Sequence, residues 1–166
     1  LQIDRDNPNP AQIEPAAVII RQGGLVAFPT ETVYGLGANG LDQAAVQRIF
    51  TAKGRPADNP LILHIADRQE LDALVRQVPS WLNPLLELFW PGPFTVVLPR
   101  AECVPDIVTA GLDSVAVRLP SLGAARALIR AAGVPIAAPS ANLSGRPSPT
   151  TAAAVLADMD GRVDMI

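Results

Sequence analysis

The sequence contains almost none of the residues that define disulfide-stabilised or zinc-binding domains. Among its 166 residues there is one cysteine, Cys103, and one histidine, His64. A single cysteine excludes an internal disulfide framework, and one cysteine with one histidine excludes a Cys/His zinc site. Lysine is equally scarce, because Lys53 is the only lysine among 13 basic residues.

Long apolar runs and an excess of positive charge are also missing. No uncharged apolar run approaches the ~18 residues of a membrane span, so we expect no membrane association. The formal net charge of −3 argues against a broad nucleic-acid-binding face, which is strongly basic in most proteins that have one. No basic and apolar signal segment opens the chain, so the predicted location is the cytoplasm.

What the chain does contain is enough apolar sequence to form a core, together with an unusual amount of proline. Hydrophobic residues make up 49% of the chain and charged residues 17%, which predicts an ordered globular protein. The 17 prolines are about twice the ~5% of average usage. Because the chain is not of low complexity, these prolines must punctuate a folded domain.

Hydrophobic periodicity and turn residues divide the chain into alternating strands and helices. Strands are predicted at residues 25–28, 61–65, 94–98, 115–119 and 135–138. Helices are predicted after the N-cap residues Asn9, Asp42, Asp67 and Ser121, around residues 81–88, and from near Thr150. This alternation predicts an α/β fold with a parallel or mixed sheet. Residues 162–166 have strand character, so we expect one domain over residues 1–166 that is incomplete at its C-terminus.

Residues 35–40 match the dinucleotide-binding pattern G-x-G-x-x-G, but their context does not fit it. In that fold the glycines turn directly out of a strand, so that pyrophosphate meets the N-terminus of the next helix. Here residues 29–34 separate the predicted strand from the first glycine, and Asp67 is better explained as a helix cap than as a ribose ligand. We therefore predict no dinucleotide site.

Lys53 and Arg55 lie two residues apart, where the second predicted helix ends. An ammonium group beside a forked guanidinium suits phosphate oxygens, so the pair indicates a polyanion site. The alternative is a solvated helix C-terminus whose dipole the two cations balance. The residues by themselves leave both interpretations open.

His64 and Arg118 each lie in an apolar predicted strand. A lone histidine in such a strand is either a satisfied core residue or a ligand contact. Arg118 projects from the face opposite Val115 and Val117, because side chains alternate along a strand. If that face is covered, the guanidinium needs an anion, since an unpaired buried charge is costly.

Two polar loops complete the candidate surface. Residues 29–37 carry hydroxyls and glycines after a strand, and residues 139–148 carry serine, asparagine and glycine before a helix. At the edge of an α/β sheet, such loops commonly meet phosphate or ribose. The alternatives are a hairpin-like turn for the first loop and a well-formed helix N-cap for the second.

Five segments taken in order resemble the YrdC-like family. They read FPTETVYGLG, AKGRPADNPLILHI, PGPFTVVL, VAVRLP and APSANLSGRPSPT, and they span residues 28–150. The resemblance implies a twisted mixed or parallel sheet flanked by helices, with a concave ligand cleft. It also implies a nucleotidyltransferase that makes L-threonylcarbamoyl-AMP and pyrophosphate from L-threonine, bicarbonate or CO2, and ATP. That reaction is the first step toward threonylcarbamoyladenosine in tRNA.

The resemblance further assigns roles to the residues at matching positions. Lys53 and Arg55 would be catalytic, with Mg2+ carried by the ATP and no metal ligand from the chain. The implied ATP-binding residues are Arg55, Asn59, Ser114, Ser140, Asn142 and Ser148. The implied threonine-binding residues are Thr32, His64, Arg118 and the backbone of Ala138. Orienting the reactants and screening their charge would then carry the catalysis, with His64 as an orienting donor rather than the general base.

Two alternatives to this function remain at the level of the sequence. One is a non-catalytic RNA-binding module, which the acidic composition disfavours. The other is the carbamoyl-adenylating domain of a hydrogenase-maturation protein, and the DNPLILHI stretch with its histidine favours the threonine reaction over it. The resemblance also implies tRNA or a downstream transferase complex as further partners.

Overall fold

The computed structural model describes all residues from Leu1 to Ile166 and contains six strands and seven helices. The strands are β1 (Val26–Phe28), β2 (Gly35–Asn39), β3 (Ile62–His64), β4 (Thr95–Pro99), β5 (Ser114–Arg118) and β6 (Ile136–Ala137). The helices are α1 (Pro10–Arg21), α2 (Gln43–Lys53), α3 (Leu71–Leu74), α4 (Asn83–Phe89), α5 (Asp106–Thr109), α6 (Gly123–Ala132) and α7 (Ala152–Met159).

All six strands form one mixed sheet in the order β1-β2-β6-β3-β5-β4. The neighbours β3 and β5 run parallel, and every other neighbouring pair runs antiparallel. The predicted α/β class with a mixed sheet flanked by helices is therefore confirmed. The parallel content is a single strand pair, and it is this pair that carries His64 and Arg118.

Local hydrogen bonds explain several of the helix boundaries. The side chain of Asn9 accepts from the backbone N–H of Ala11, and that of Asp42 accepts from Ala44 and Ala45. Gly54 ends α2 in the left-handed conformation at φ 60°, which a residue with a Cβ rarely adopts, and its N–H donates to the carbonyl oxygens of Phe50 and Thr51. The caps at Asn9 and Asp42 follow the sequence prediction.

The predicted cap at Ser121 is wrong. Helix α6 begins at Gly123, its N-cap residue is Leu122, and no side chain caps its first turn. Instead, the backbone N–H of Ala124 donates to the carbonyl oxygen of Arg5, so a distant segment satisfies the helix end. Sequence patterns near the helix carry no signal of such a long-range partner.

Strand β2 covers the glycine-rich segment that was predicted to be a loop. It pairs with β1 on one side and with β6 on the other, so β1 and β2 form a hairpin. Only glycine fits at position 37, because a Cβ there would lie 2.7 Å from Ile136 Cγ2 and 2.8 Å from Phe28 Cε1. Close packing against a ring on the neighbouring strand thus explains why this position is glycine.

Alternating side chains along the strands divide the apolar core between the two faces of the sheet. Leu63 and Val117 point toward the face covered by α2, in a cluster of 29 buried residues. Phe28 and Ile136 point toward the opposite face, covered by α1 and α6, in a cluster of 15. Because His64 and Arg118 share parity with Ile136 in the register, they belong to this second face.

Residues 162–166 add one bridge rather than a full strand. Met165 forms an isolated parallel bridge with Val26, and the N–H of Ala27 donates to its carbonyl oxygen at 2.9 Å. None of the seven helices is both long enough and apolar enough to cross a bilayer.

Candidate active site

His64 and Arg118 are direct neighbours on parallel strands β3 and β5, and they form the floor of the candidate site. Both are buried, with 4% and 9% of their surface exposed. The ring of Phe28 meets the imidazole edge-on at a centroid distance of 6.1 Å, which fixes the plane of the histidine ring.

Arg118 has the buried anion that its position requires, and this anion is Glu31. The guanidinium Nη2 donates to Glu31 Oε1 at 2.8 Å and to Thr32 Oγ1 at 3.1 Å. Burial by itself opposes ionisation of Glu31, but the hydrogen bond and positive charge of Arg118, together with the nearby backbone of Glu31 and Ser121, outweigh it and lower the pKa of that carboxyl. The pair is therefore ionised at neutral pH.

Glu31 is a site residue that the sequence reasoning missed. It lies inside the FPTETVYGLG segment, between Thr30 and Thr32, whose hydroxyls made that loop a candidate binding loop. Thr30 Oγ1 lies 3.0 Å from Thr32 Oγ1 and donates to the carbonyl oxygen of Val33 at 2.7 Å. A requirement for an anion beside Arg118 was the only signal pointing to this carboxylate.

His64 has little tendency to take up a proton in this environment. Its Nδ1 lies 3.2 Å from the carbonyl oxygen of Ile62. Burial, followed by the nearby charge of Arg118, lowers the pKa of His64 to about 4. The imidazole is consequently neutral at pH 7, which suits an orienting hydrogen-bond partner.

Ala138 joins the same group through its backbone. Its N–H donates at 3.0 Å to the carbonyl oxygen of Ile62, the atom that also faces His64 Nδ1. The structure thus brings together Thr32, His64, Arg118 and Ala138, the four residues predicted to hold threonine.

Lys53 is buried and tied to the second polar loop. Only 2% of its surface is exposed, and its Nζ donates to the carbonyl oxygens of Ser140 and Asn142. Burial, with the charge of Arg55 adding to it, lowers the pKa of Lys53 to about 8. The ammonium group therefore holds the loop in place and contributes positive charge beneath it.

Arg55 and Asn59 form a separate turn after α2. Arg55 Nε donates to the carbonyl oxygen of Asn59 at 3.3 Å, and Nη2 donates to that of Pro60 at 3.2 Å. Arg55 is half-buried and Asn59 is exposed. With long hydrogen bonds and solvent access, this guanidinium is free to turn toward an anion.

Asn142 closes the loop that Lys53 anchors. Its Nδ2 donates to the carbonyl oxygens of Leu143 and Arg146, both at 2.8 Å, whereas its buried Oδ1 has no partner. A buried acceptor without a donor is rare in folded proteins and marks a place where a ligand group can bind.

The two polar loops run side by side, which joins the threonine group to the Lys53 group. The N–H of Tyr34 donates to the carbonyl oxygen of Pro149, and the N–H of Ala141 donates to that of Tyr34, both at 2.8 Å. Gly35 bridges to Ser140. One continuous polar edge therefore extends from Arg118 to Lys53.

Two further predicted ATP-binding residues, Ser114 and Ser148, make no side-chain hydrogen bond in the structure. Ser114 begins β5 and is four residues from Arg118, roughly 13 Å along an extended strand. Ser148 is exposed near the end of the second loop.

One concavity lies next to this edge rather than over it. A cavity of about 590 Å³ is lined by Thr30, Thr32 and Tyr34 together with the N-terminal residues, but not by Lys53 or Arg118. We place the site at the buried charges, because unpaired polar atoms lie there and the cavity wall is mostly apolar. No group of three or more His, Cys, Asp or Glu side chains is arranged to hold a metal ion.

These features define an α/β domain with a buried arginine and histidine and a partly buried carboxylate at the carboxyl ends of its parallel strand pair. The chain belongs to the Sua5/YciO/YrdC family, described as telomere recombination, whose profile matches residues 18–166. The family resemblance predicted from the five segments is therefore confirmed.

Named relatives and a solved structure agree with this assignment. The chain is 57% identical over 155 residues to a threonylcarbamoyl-AMP synthase of Pyrococcus abyssi, covering 93% of this chain and 46% of that protein. It is 37% identical to a threonylcarbamoyl-AMP synthase of Halorhodospira halophila, covering 95% of this chain and 82% of that protein. The crystal structure of P. abyssi Sua5 complexed with L-threonine superposes with a TM-score of 0.95 at 55% identity, covering 97% of this chain and 47% of that one. The chain thus spans about half the length of the Pyrococcus relative.

Proposed function

We propose that the chain forms L-threonylcarbamoyl-AMP and pyrophosphate from L-threonine, bicarbonate or CO2, and ATP. The observation that carries the proposal is the cluster of buried Arg118 and His64 with the exposed hydroxyl of Thr32. It occurs in a chain that is 55% identical to a Sua5 protein crystallised with L-threonine.

Arg118 would bind the α-carboxylate of threonine. A guanidinium pairs with a carboxylate through two parallel hydrogen bonds, and its Nε is buried without a partner. His64 is neutral at pH 7 and sits in register beside it, so it would orient the amino acid without adding charge. Thr32, exposed at the end of the first loop, supplies a hydroxyl on the solvent side.

The ATP would lie along the second loop, near Arg55, Ser140 and Asn142. Threonine carbamate and the α-phosphate are both anionic, so they repel one another until positive charge lies between them. Arg55 would contact the phosphates directly, whereas Lys53 would hold the loop and contribute its charge from below. Mg2+ would arrive on the triphosphate, since no group of three or more His, Cys, Asp or Glu side chains is arranged to hold a metal ion.

The product is a mixed anhydride, and an acyl transferase must consume it. By resemblance this step places threonylcarbamoyl on adenosine in tRNA, so we propose tRNA or a transferase complex as downstream partners and the cytoplasm as the location. The net charge of −3 disfavours direct RNA binding by this domain, because RNA-binding surfaces are usually basic.

The deciding experiment measures pyrophosphate release from ATP with L-threonine or bicarbonate omitted in turn, and identifies the nucleotide product by mass spectrometry. Release that needs both compounds supports the proposal. Release that is indifferent to threonine, or that needs carbamoyl phosphate instead, overturns it in favour of a carbamoyl-adenylating domain. RNA binding without ATP turnover would favour the non-catalytic module.

A further inference from the structure

One buried hydrogen-bond acceptor and one buried donor lie at the Glu31–Arg118 ion pair, and neither has a hydrogen-bond partner. They are the acceptor Oε2 of Glu31 and the donor Nε of Arg118. The contact between the two side chains uses only Oε1 and Nη2, at 2.8 Å. The pair therefore retains one free acceptor and one free donor on adjacent groups.

Isolated ion pairs seldom leave such atoms unsatisfied, because each buried polar group without a partner lowers stability. The side chains are only 10% and 17% exposed, so bulk water does not satisfy them freely. The arrangement is better matched by a ligand that carries both an anion and a cation a few ångströms apart. An α-amino acid has this form, since its carboxylate and ammonium groups are attached to one carbon.

We propose that Glu31 is a substrate-binding residue whose free Oε2 accepts a hydrogen bond from the α-ammonium group, while Arg118 holds the carboxylate of the same amino acid. This inference rests on the proposed function and extends it to the recognition of the amine. It assigns to Glu31 the discrimination between amino acids and acids that lack the amino group.

The contact is compatible with the chemistry at the amine. The ammonium group first loses one proton to water. The neutral amine nitrogen then forms a bond to the carbon of CO2, loses a second proton to water and keeps one N–H in the carbamate. Glu31 can accept from that remaining N–H as it did from the ammonium. The carboxylate thus orients the nitrogen before and after carboxylation without taking part in the bond changes.

The test compares two ligands on two proteins by ligand-observed NMR titration. L-Threonine carries the ammonium group, and (R)-3-hydroxybutyrate is the same skeleton without it. Glu31→Gln keeps an acceptor for Arg118 but removes the negative charge. Its matched control is Glu14→Gln, which neutralises an exposed carboxylate paired with Arg21 on α1.

We expect Glu31→Gln to weaken L-threonine binding about tenfold or more, as for loss of a hydrogen bond to a charged group, and to leave (R)-3-hydroxybutyrate within about twofold. Glu14→Gln should change neither affinity. Glu31→Asp, which keeps the charge on a shorter chain, should recover part of the threonine affinity.

Equal weakening of both ligands, or unchanged threonine affinity, would overturn the inference and make Glu31 only the counter-ion of Arg118. These outcomes leave the proposed function intact, since the wild-type chain still binds threonine. A wild-type chain that binds neither ligand and releases no threonine-dependent pyrophosphate overturns the proposed function, and this inference with it. Thermal unfolding of each variant verifies that the compared proteins are folded.

Discussion

His64 and Arg118 face one another in register on β3 and β5, the one parallel strand pair in the sheet. The arginine has an anionic partner in Glu31, whereas the histidine has only a backbone carbonyl within hydrogen-bond distance. The positive charge of Arg118 disfavours protonation of the buried imidazole beside it, so at neutral pH Arg118 is charged and His64 is neutral.

This relationship predicts an unusual titration of the only histidine. Because the pKa of His64 is lowered to about 4, its imidazole NMR resonance should stay constant from pH 8 to about 5 and move only below that. A midpoint near the ordinary value of about 6.5 would show that the ring is solvated and contradict the burial described here.

The same shift predicts acid sensitivity of the fold. The unfolded chain takes up the proton near pH 6.5 and the folded chain only near pH 4, so stability is complete above 6.5 and falls as the pH drops toward 4. The full contribution is roughly 3 kcal/mol from this group. Urea unfolding of wild type and His64→Asn at several pH values isolates it, because the variant should lack this part of the slope.

Lys53 should matter for stability as well as for activity. Lys53→Ala removes a buried ammonium that donates to two carbonyl oxygens, and we expect the free energy of unfolding to fall by about 2–3 kcal/mol. Arg55→Ala is the natural comparison, because that side chain is half-buried with hydrogen bonds of 3.2–3.3 Å and should cost less than about 1 kcal/mol.

Denaturation curves and ATP titrations of both variants separate the two roles. Arg55→Ala should lose ATP affinity in a folded protein. If Lys53→Ala were as stable as wild type and lost only ATP binding, the ammonium would act on the phosphates rather than on the loop.

The Glu31–Arg118 pair should behave as a buried ion pair. Arg118→Met alone leaves a buried carboxylate without its partner, and we expect it to lower stability by about 3–5 kcal/mol. Adding Glu31→Leu removes that charge and should restore most of the loss, while threonine binding stays absent. Threonine affinity that survives in the folded double variant would refute the role of Arg118 as the carboxylate ligand.

Gly37→Ala tests the packing that makes β2 a strand. Its Cβ would meet the ring of Phe28 and the branched side chain of Ile136, both of which are buried and rigid. We expect a loss of about 1–3 kcal/mol, as for other overpacked sites. Because Phe28 also contacts His64, the single histidine resonance should shift in the folded variant. Unchanged stability would mean that the strands separate easily at this point.

Several elements of the fold could be predicted because their causes are local. Asn9, Asp42 and Gly54 cap helices through atoms only a few residues away, so composition and order suffice to locate them. Strand β2 could not be predicted, since its glycines have low strand propensity and its pairing partners lie on β1 and β6. The short helix α5, only four residues long, is too brief to produce a periodic pattern.

The sequence by itself determined the class of fold, the family, and the residue types gathered in its polar segments. Local propensity and ordered motifs depend on residues close together in the chain, so they can be recognised in the sequence alone. Only the tertiary structure decided which groups meet: that Glu31 is the anion of Arg118, and that Lys53 is buried against the Ser140–Asn142 backbone. These contacts join residues up to 89 positions apart, and their geometry depends on strand register and burial, which no local pattern encodes.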